Sequence, residues 1–276
     1  MENKYLSQYL NAHLRELQMT ELDILKEIDK ICRNHGIDYW LDGGTCLGAV
    51  RHHGFIPWDD DIDIAMRLED IPRFAEAARE ELPRHLFLQS EETDPERRLQ
   101  IMKVRDLNSY FIEYGDDFSR PYQKGVFVDI FPFIDYPTVS RRFIKRIVGG
   151  LCKCHAIMTV QHYYSLRSFA EFFYFGAKKI LYTMIWNITY RTKKRDRYMG
   201  NVVHNNGYGI MHRQDSVFPT SDIVFEGCTF KAPANPGAYL TDLFKNYMQL
   251  PPEDKRKIHS VFFVSKLTNE EKDEVQ

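Results

Sequence analysis

Apolar residues recur with the period of an α-helix over the first 35 residues of the chain. Side chains three or four positions apart share one face of a helix. That face carries Leu10, Leu14, Leu17, Leu25, Ile28, Ile31 and Cys32. Gly36 follows, where a glycine commonly ends a helix in a left-handed conformation. The pattern predicts one long amphipathic helix that ends at Gly36.

Shorter apolar runs predict strands between this helix and residue 137. They read "IDYWLD" (37–42), "HLFLQ", "LQIMKVRD" and "GVFVDIFPFID". Asp70 and Pro72 predict the start of an intervening helix, because aspartate caps helices and proline fits the first helical turn. Helices mixed with strands in this way indicate an α/β (α+β) catalytic core over residues 1–137, with a mixed sheet flanked by helices.

The second half, residues 138–276, has a different pattern. From Arg141 to about Met199 it is helical in period and rich in aromatic residues, between the basic segments "RRFIKR" and "RTKKRDR". Glu171, Lys178 and Lys179 argue against a membrane span, because a charge at a bilayer centre is costly. Two interpretations stay open: a core helix packed on the catalytic core, and an interfacial helix that makes peripheral contact with a membrane. The chain then continues to a C-terminal motif, "LPPEDKRKIH".

Composition narrows the class of protein. Apolar residues make up 43% and charged residues 28%, and the formal net charge is -2. These values are ordinary for a globular protein, and they do not indicate nucleic-acid binding. The N-terminus lacks the pattern of a signal peptide, so we expect a cytoplasmic protein with reduced thiols. The cluster Cys152, Cys154 and His155, with His162 nearby, favours buried thiols over zinc because no second cluster accompanies it.

The segment "FIPWDDDIDI" (55–64) concentrates four aspartates within an otherwise strand-like run. On a strand, Asp59, Asp61 and Asp63 would share one face and Asp60 would point the other way. Carboxylates two residues apart are separated by ~6.6 Å, which suits oxygen-loving cations held between them. The preferred ions are Mg²⁺ or Mn²⁺, together with a phosphate-bearing substrate. A solvated acidic turn is the alternative, but it leaves the "DIDI" alternation unexplained.

Gly43, Gly44 and Thr45 precede these aspartates, between a predicted strand and a predicted helix. Backbone N–H groups at such a helix start can bind an anion, so the three residues are candidates for binding phosphate. Strand, Gly-Gly-Thr, helix and Asp-x-Asp strand together indicate the nucleotidyltransferase-like fold. Asp129, in "GVFVDIFPF", is the candidate third metal ligand beside Asp61 and Asp63. The alternative for Asp129 is an ion pair with Lys124 or an arginine.

The block "YWLDGGTCLGAVRHHGFIPWDDDIDIAM" (39–66) resembles the defining motif of the LicD family of phosphocholine transferases. "GVFVDIFPFID" and "YMQLPPEDKRKIH" are similar to two later motifs of that family. The resemblance implies a phosphotransferase with a CDP-alcohol donor, usually CDP-choline, and a glycan or lipid-linked glycan acceptor. It also implies that Asp59, Asp61, Asp63 and Asp129 are the catalytic residues.

Three cationic residues could add to this site. Arg51 can fork onto a phosphate, although a surface arginine is an equal alternative. Arg256 and His259 follow Pro251-Pro252 at helical spacing and could reach the phosphate or the acceptor, or could form a basic helix face in solvent.

Three functional alternatives remain. A nucleotidyltransferase that moves a nucleoside monophosphate would use the same metals and glycines. A transferase of the CDP-ribitol type would differ in its donor alcohol. An inactive paralogue that only binds is disfavoured, because every expected aspartate is present.

Overall fold

The structure is a computed structural model that describes residues 4–97, 101–159, 165–268 and 271. Its helices are α1 (Lys4–His35), α2 (Gly43–His52), α3 (Ile71–Glu81), α4 (Arg141–Thr159), α5 (Leu166–Thr192), α6 (Gln214–Val217) and α7 (Pro236–Phe244). Its strands are β1 (Tyr39–Leu41), β2 (Ile62–Arg67), β3 (Leu86–Gln89), β4 (Met102–Asp106), β5 (Tyr110–Ile112), β6 (Val126–Tyr136), β7 (Tyr198–Asn201), β8 (His212–Arg213), β9 (Ser221–Phe225), β10 (Cys228–Ala232) and β11 (Phe262–Val264). The predicted class, an α/β fold with a mixed sheet flanked by helices, is confirmed.

The main sheet places β2 and β6 next to each other at its centre. Its strand order is β1-β2-β6-β4-β3. β1 runs antiparallel to β2, and β4 runs antiparallel to β6 with Lys103 opposite Asp129. The strands that carry Asp63 and Asp129 are therefore neighbours.

Two compact units make up the chain. One comprises residues up to 132 together with residues from 219 onward, and the other comprises residues 133–218. The C-terminal part belongs to the first unit because β11 pairs with β5, and α7 and β10 contact α2 and β1. The compact units thus follow a different partition from the sequence-based division at residue 137, which stays a prediction.

α1 supplies much of the first unit's core. Leu17, Leu25 and Ile28 on its apolar face are fully buried. The helix ends at His35, and Gly36 follows with a φ of +59°, a conformation that glycine adopts without strain. The predicted helix and its terminator are confirmed.

The second unit contains a helical pair with its own core. Trp186 of α5 packs edge-on against Tyr136, with ring centroids 5.2 Å apart. Buried residues around this pair include Ile144, Ile147, Val148 and Leu151 of α4. The helical prediction is confirmed over α4 and α5, but the strands β7 to β11 were not predicted. Within the described residues, no helix combines the length and apolarity needed to cross a membrane.

Candidate active site

Asp42 links the start of α2 to the sheet. Its carboxylate accepts a hydrogen bond from the Gly43 N–H at 2.7 Å and another from the Tyr239 hydroxyl at 2.5 Å. Its own N–H donates to the Asp63 carbonyl at 3.0 Å. An aspartate at this position caps the helix, because its side chain satisfies a backbone donor that the helix leaves unpaired. The helix start is thereby fixed against β2.

Gly43 and Gly44 form the first turn of α2 itself, one step further into the helix than the sequence reading suggested. A Cβ atom added to Gly43 would lie 2.9 Å from Asp63 Oδ2, and one added to Gly44 would lie 2.7 Å from Asp59 Oδ2. Gly43 also has a φ of +49°. The glycines therefore leave the space in which the carboxylates of Asp59 and Asp63 approach the helix backbone.

Thr45 is buried, and its hydroxyl accepts a hydrogen bond from the Asp63 N–H at 2.8 Å. This contact holds the first turn of α2 to the start of β2. The role of Gly43, Gly44 and Thr45 in binding the donor phosphate stays a prediction.

Three aspartates concentrate negative charge beside this helix start. Burial, followed by repulsion from Asp61 and Asp60, raises the pKa of Asp59 to about 8. Burial, followed by repulsion from Asp60 and Asp129, raises the pKa of Asp61 to about 6. Burial and the neighbouring carboxylates also raise the pKa of Asp63 well above its usual value. Such a cluster favours either protons or a cation.

Asp60 faces a different part of the molecule. It is 1% exposed, and its carboxylate accepts hydrogen bonds from the backbone N–H groups of His259, at 2.9 and 3.1 Å, and of Ser260, at 2.5 Å. The strand parity predicted for the aspartates does not apply to residues 59–61, because β2 begins only at Ile62. Residues 59–61 precede the strand, and the C-terminal segment holds them in place.

Asp129 lies in β6 and pairs with Lys103, the residue opposite it in β4. Lys103 Nζ lies 2.8 Å from Asp129 Oδ1 and 2.9 Å from Glu113 Oε1. Burial raises the pKa of Asp129, and Lys103 opposes that shift. An ion pair was one expected alternative for Asp129, but Lys124 is not the partner. The Lys124 ammonium instead donates to the carbonyls of Arg120 and Tyr122.

Glu21 is a further carboxylate of the cluster that sequence reasoning missed. It lies on α1 and is 1% exposed, and its Oε2 atom has no hydrogen-bond partner among the residues that the structure describes. Burial raises its pKa, and repulsion from all four aspartates of the acidic segment raises it further. A signal was available, because Glu21 interrupts the apolar face between Leu17 and Leu25. An unpaired carboxylate is costly at such a core position.

Arg51 and Arg256 provide positive charge near the aspartates. Burial lowers the pKa of Arg51, with Asp59 opposing that shift and Arg256 adding to it. Arg51 donates to the Tyr247 carbonyl at 3.0 Å, and the Arg256 guanidinium covers the Trp58 ring at 4.9 Å. His259 is exposed, with its Nδ1 atom 3.8 Å from Asp60 Oδ1. The expected helix around Arg256 and His259 is wrong, because only the short 3₁₀ turn Glu253–Lys255 forms there.

The donor set suits a hard divalent cation. Burial and mutual repulsion raise the pKa values of Asp59, Asp61 and Asp63, and Glu21 Oε2 has no hydrogen-bond partner among the described residues. Carboxylate oxygens are the ligands that Mg²⁺ prefers. Within the described part of the chain, one set of three potential ligands has all its ligand atoms within 4.8 Å of one another. That set is Asp59, Asp60 and His259. Backbone amides already donate to the Asp60 carboxylate, which makes it a poor candidate ligand. The assignment of a metal to Asp61, Asp63 and Asp129 stays a prediction.

The cluster Cys152, Cys154 and His155, for which the sequence favours buried thiols over zinc, forms no set of converging metal ligands within the described residues. All five cysteines are free thiols. Cys152 donates to the Val203 carbonyl at 2.8 Å, and His155 Nδ1 lies 3.0 Å from Lys179 Nζ. His162 lies outside the described residues.

A sheet that brings clustered aspartates against a glycine-rich helix start defines a domain of the nucleotidyltransferase type. The family model described as "LicD/FKTN/FKRP, nucleotidyltransferase domain" matches residues 36–147. This part of the chain is therefore similar to the LicD family, in agreement with the motifs of the sequence.

Similar proteins support this assignment to different extents. The chain is 28% identical over 266 residues to "Lipopolysaccharide cholinephosphotransferase LicD" of Haemophilus influenzae, a match covering 90% of this chain and 96% of that protein. It is 56% identical over 36 residues to human "Ribitol 5-phosphate transferase FKRP", covering 13% of this chain and 7% of that protein. It is 29% identical over 69 residues to human "Ribitol-5-phosphate transferase FKTN", covering 24% and 15%. The prediction of a transferase is confirmed at the level of the family.

Proposed function

We propose that this protein transfers phosphocholine, or a related phospho-alcohol, from a CDP-activated donor to a hydroxyl of a cell-surface glycan or its lipid-linked precursor, with release of CMP. One observation carries the proposal: Asp59 and Asp63 lie so close to Gly44 and Gly43 that a Cβ atom would fill the gap. Acidic side chains and a helix N-terminus thus converge on one place, where a cation and a phosphate can be bound together. The Haemophilus influenzae relative, named as a cholinephosphotransferase, matches over most of its length and favours this reaction.

Asp61, Asp63 and Asp129 are the proposed ligands of Mg²⁺ or Mn²⁺. When bound, such an ion would neutralise charge on the donor diphosphate and on the departing CMP. Lys103 keeps Asp129 in place through the 2.8 Å ion pair, and the Asp42 cap keeps α2 against β2. The protein thereby holds its carboxylates in position before the donor arrives.

Arg51 and Arg256 are the proposed phosphate-binding side chains. A guanidinium presents several N–H donors in a plane that matches phosphate oxygens. Burial and the positive charge of Arg256 lower the pKa of Arg51, so both guanidinium groups lie in the same region as Asp59, whose charge opposes that shift. Backbone N–H groups at the start of α2 would complete the binding of the diphosphate.

Asp59 is the proposed general base. As the acceptor oxygen forms its bond to phosphorus, the bond from phosphorus to the CMP oxygen breaks, and the hydroxyl proton moves to the Asp59 carboxylate. A pKa of about 8 makes this carboxylate a better proton acceptor than an ordinary aspartate. Asp129 suits the role less well, because Lys103 lies against its carboxylate.

The donor alcohol can be choline or ribitol, since short segments of the chain are also similar to proteins named as ribitol phosphate transferases. The direct experiment is a thermal-shift series with CDP-choline, CDP-ribitol, CDP-glycerol and CDP-ethanolamine, with and without Mg²⁺. The proposed donor should raise the unfolding temperature only when Mg²⁺ is present, because a ligand stabilises the state that binds it. If none of the four shifts it, with or without Mg²⁺, a CDP-alcohol donor is ruled out.

We also propose that the protein acts in the cytoplasm, in keeping with its free thiols. Nucleic acid is not among the proposed partners, since the overall charge is slightly negative.

A further inference from the structure

One long side of α5 is apolar and exposed. Leu166, Phe169, Phe173, Ile180, Met184 and Ile188 are each more than half exposed. At 3.6 residues per turn these six fall within an arc of about 100°. We call this set the apolar stripe.

The opposite side of α5 is packed, so the stripe is not needed for the helical core. Trp186 is the buried residue of this helix, and it faces the core formed with α4, where Tyr182 and Ile185 join it. α5 therefore has two apolar sides, of which one faces its own unit and the other faces solvent. An exposed apolar area of this length commonly marks a surface that binds a lipid or a protein.

An apolar groove lies beside the stripe. It has a volume of about 680 Å³ and is lined by side chains that include Met158 of α4 and Phe172, Phe173, Ile180 and Met184 of α5. The groove shares three of its lining residues with the stripe. Stripe and groove thus form one continuous apolar surface.

Charge distinguishes between the possible partners of this surface. Residues 141–197 carry thirteen Lys and Arg against two Asp and Glu, a formal charge of +11 in a chain whose total is -2. Ten of the thirteen lie in α4 or in the segment that begins with the last turn of α5, in "RRFIKR", Lys153 and "RTKKRDR". A second copy of the chain would bring two such cationic segments together, whereas an anionic lipid surface would neutralise them.

We infer that α5 lies in the plane of an anionic membrane surface, with the apolar stripe inserted at the boundary between headgroups and acyl chains. Amphipathic helices with basic flanks bind lipid in this orientation. The inference rests on the second unit alone and does not depend on the transfer reaction. It would bring the enzyme to the surface on which a lipid-linked acceptor is carried.

The test is co-sedimentation of the full chain with vesicles of neutral phosphatidylcholine, alone or mixed with anionic phosphatidylglycerol, at low and high salt. Binding should be at least about tenfold stronger to the anionic vesicles at low salt and should fall steeply as salt rises, because screening weakens surface attraction. Equal binding to both vesicles, or none to the anionic ones at low salt, would overturn the inference.

Matched variants locate the surface. Phe169→Glu combined with Phe173→Glu should weaken binding to anionic vesicles by at least about tenfold, since each change puts a charge into the acyl boundary. Phe118→Glu combined with Tyr114→Glu is the control, because these aromatic residues are also exposed but lie in the other unit. If the control weakens binding as much as the stripe variant, the stripe is not the docking surface.

Light scattering tests whether a second copy of the chain covers the stripe instead. A dimer that the stripe variant converts to a monomer would identify a second copy as the partner and overturn the inference.

Discussion

Replacing Asp60 or Asp61 by asparagine tests the different roles of these two neighbouring carboxylates, because one variant should lose stability and the other should lose activity. The neighbouring carboxylates have opposite surroundings, since Asp60 accepts backbone hydrogen bonds from His259 and Ser260 while Asp61 faces other carboxylates. Asp→Asn keeps the shape of the side chain and removes its charge. We expect Asp60→Asn to damage the fold and Asp61→Asn to damage the reaction.

The magnitudes follow from these contacts. Asparagine at position 60 replaces one acceptor oxygen of the His259 N–H by an NH₂ group and makes the remaining charged hydrogen bonds neutral, which costs about 2–4 kcal/mol. At position 61 the raised pKa shows that the folded state disfavours the charged form. Removing that charge should leave the metal-free protein as stable at neutral pH, or more stable by up to about 3 kcal/mol.

The two assays are urea unfolding without metal and the initial rate of transfer at saturating Mg²⁺. Asp61→Asn should lower the rate by at least about a thousandfold, or ~4 kcal/mol in the barrier, whereas folded Asp60→Asn should stay within about tenfold. An Asp60→Asn protein that is as stable as the parent but inactive would refute the reasoning. It would place Asp60 among the residues that bind metal or substrate.

Three further predictions concern the glycines, the buried carboxylates and Glu21. Gly44→Ala should lower the affinity for Mg²⁺ and the transfer rate, because its Cβ would lie 2.7 Å from Asp59 Oδ2. Calorimetric titration measures the Mg²⁺ affinity. Gly176→Ala is the control, because its Cβ would meet Met158 at an ordinary 3.7 Å and should leave affinity and rate unchanged. The metal-free protein should lose stability as the pH rises from about 4 to 8, because the folded-state pKa values of Asp61 and Asp59 are raised to about 6 and about 8 and charging these groups disfavours the fold. Mg²⁺ should therefore raise the melting temperature more at pH 8 than at pH 5. An equal rise at both pH values would contradict the assignment of these carboxylates to the metal site. Glu21→Gln should stabilise the metal-free protein at neutral pH, since a neutral group replaces a buried carboxylate that its neighbours repel. The same variant should bind Mg²⁺ more weakly. An unchanged Mg²⁺ affinity would exclude Glu21 from the metal environment.

Local patterns predicted those parts of the molecule that local interactions determine. The apolar period of α1 and the position of Gly36 identified the helix and its end, because both depend on residues close in sequence. The glycines and the alternating aspartates likewise pointed to one acidic site beside a helix start.

Contacts between distant parts of the chain determine what the sequence could not show. Asp60 bonds to backbone groups 199 and 200 residues away, and these contacts explain why residues 59–61 do not extend β2. The pairing of Asp129 with Lys103 depends on the register between β4 and β6, which no short motif specifies. The strands β7 and β8 are four and two residues long, too short for an alternating pattern to be recognised.

The central claim is that the alcohol half of the donor, with its phosphate, is what the protein transfers. The most direct measurement uses CDP-choline that carries one label on choline and a different label on cytidine, incubated with the protein, Mg²⁺ and a glycan acceptor. We expect the choline label to enter the acceptor while the cytidine label leaves as CMP. Cytidine label in the acceptor would contradict the account and identify a nucleotidyltransferase.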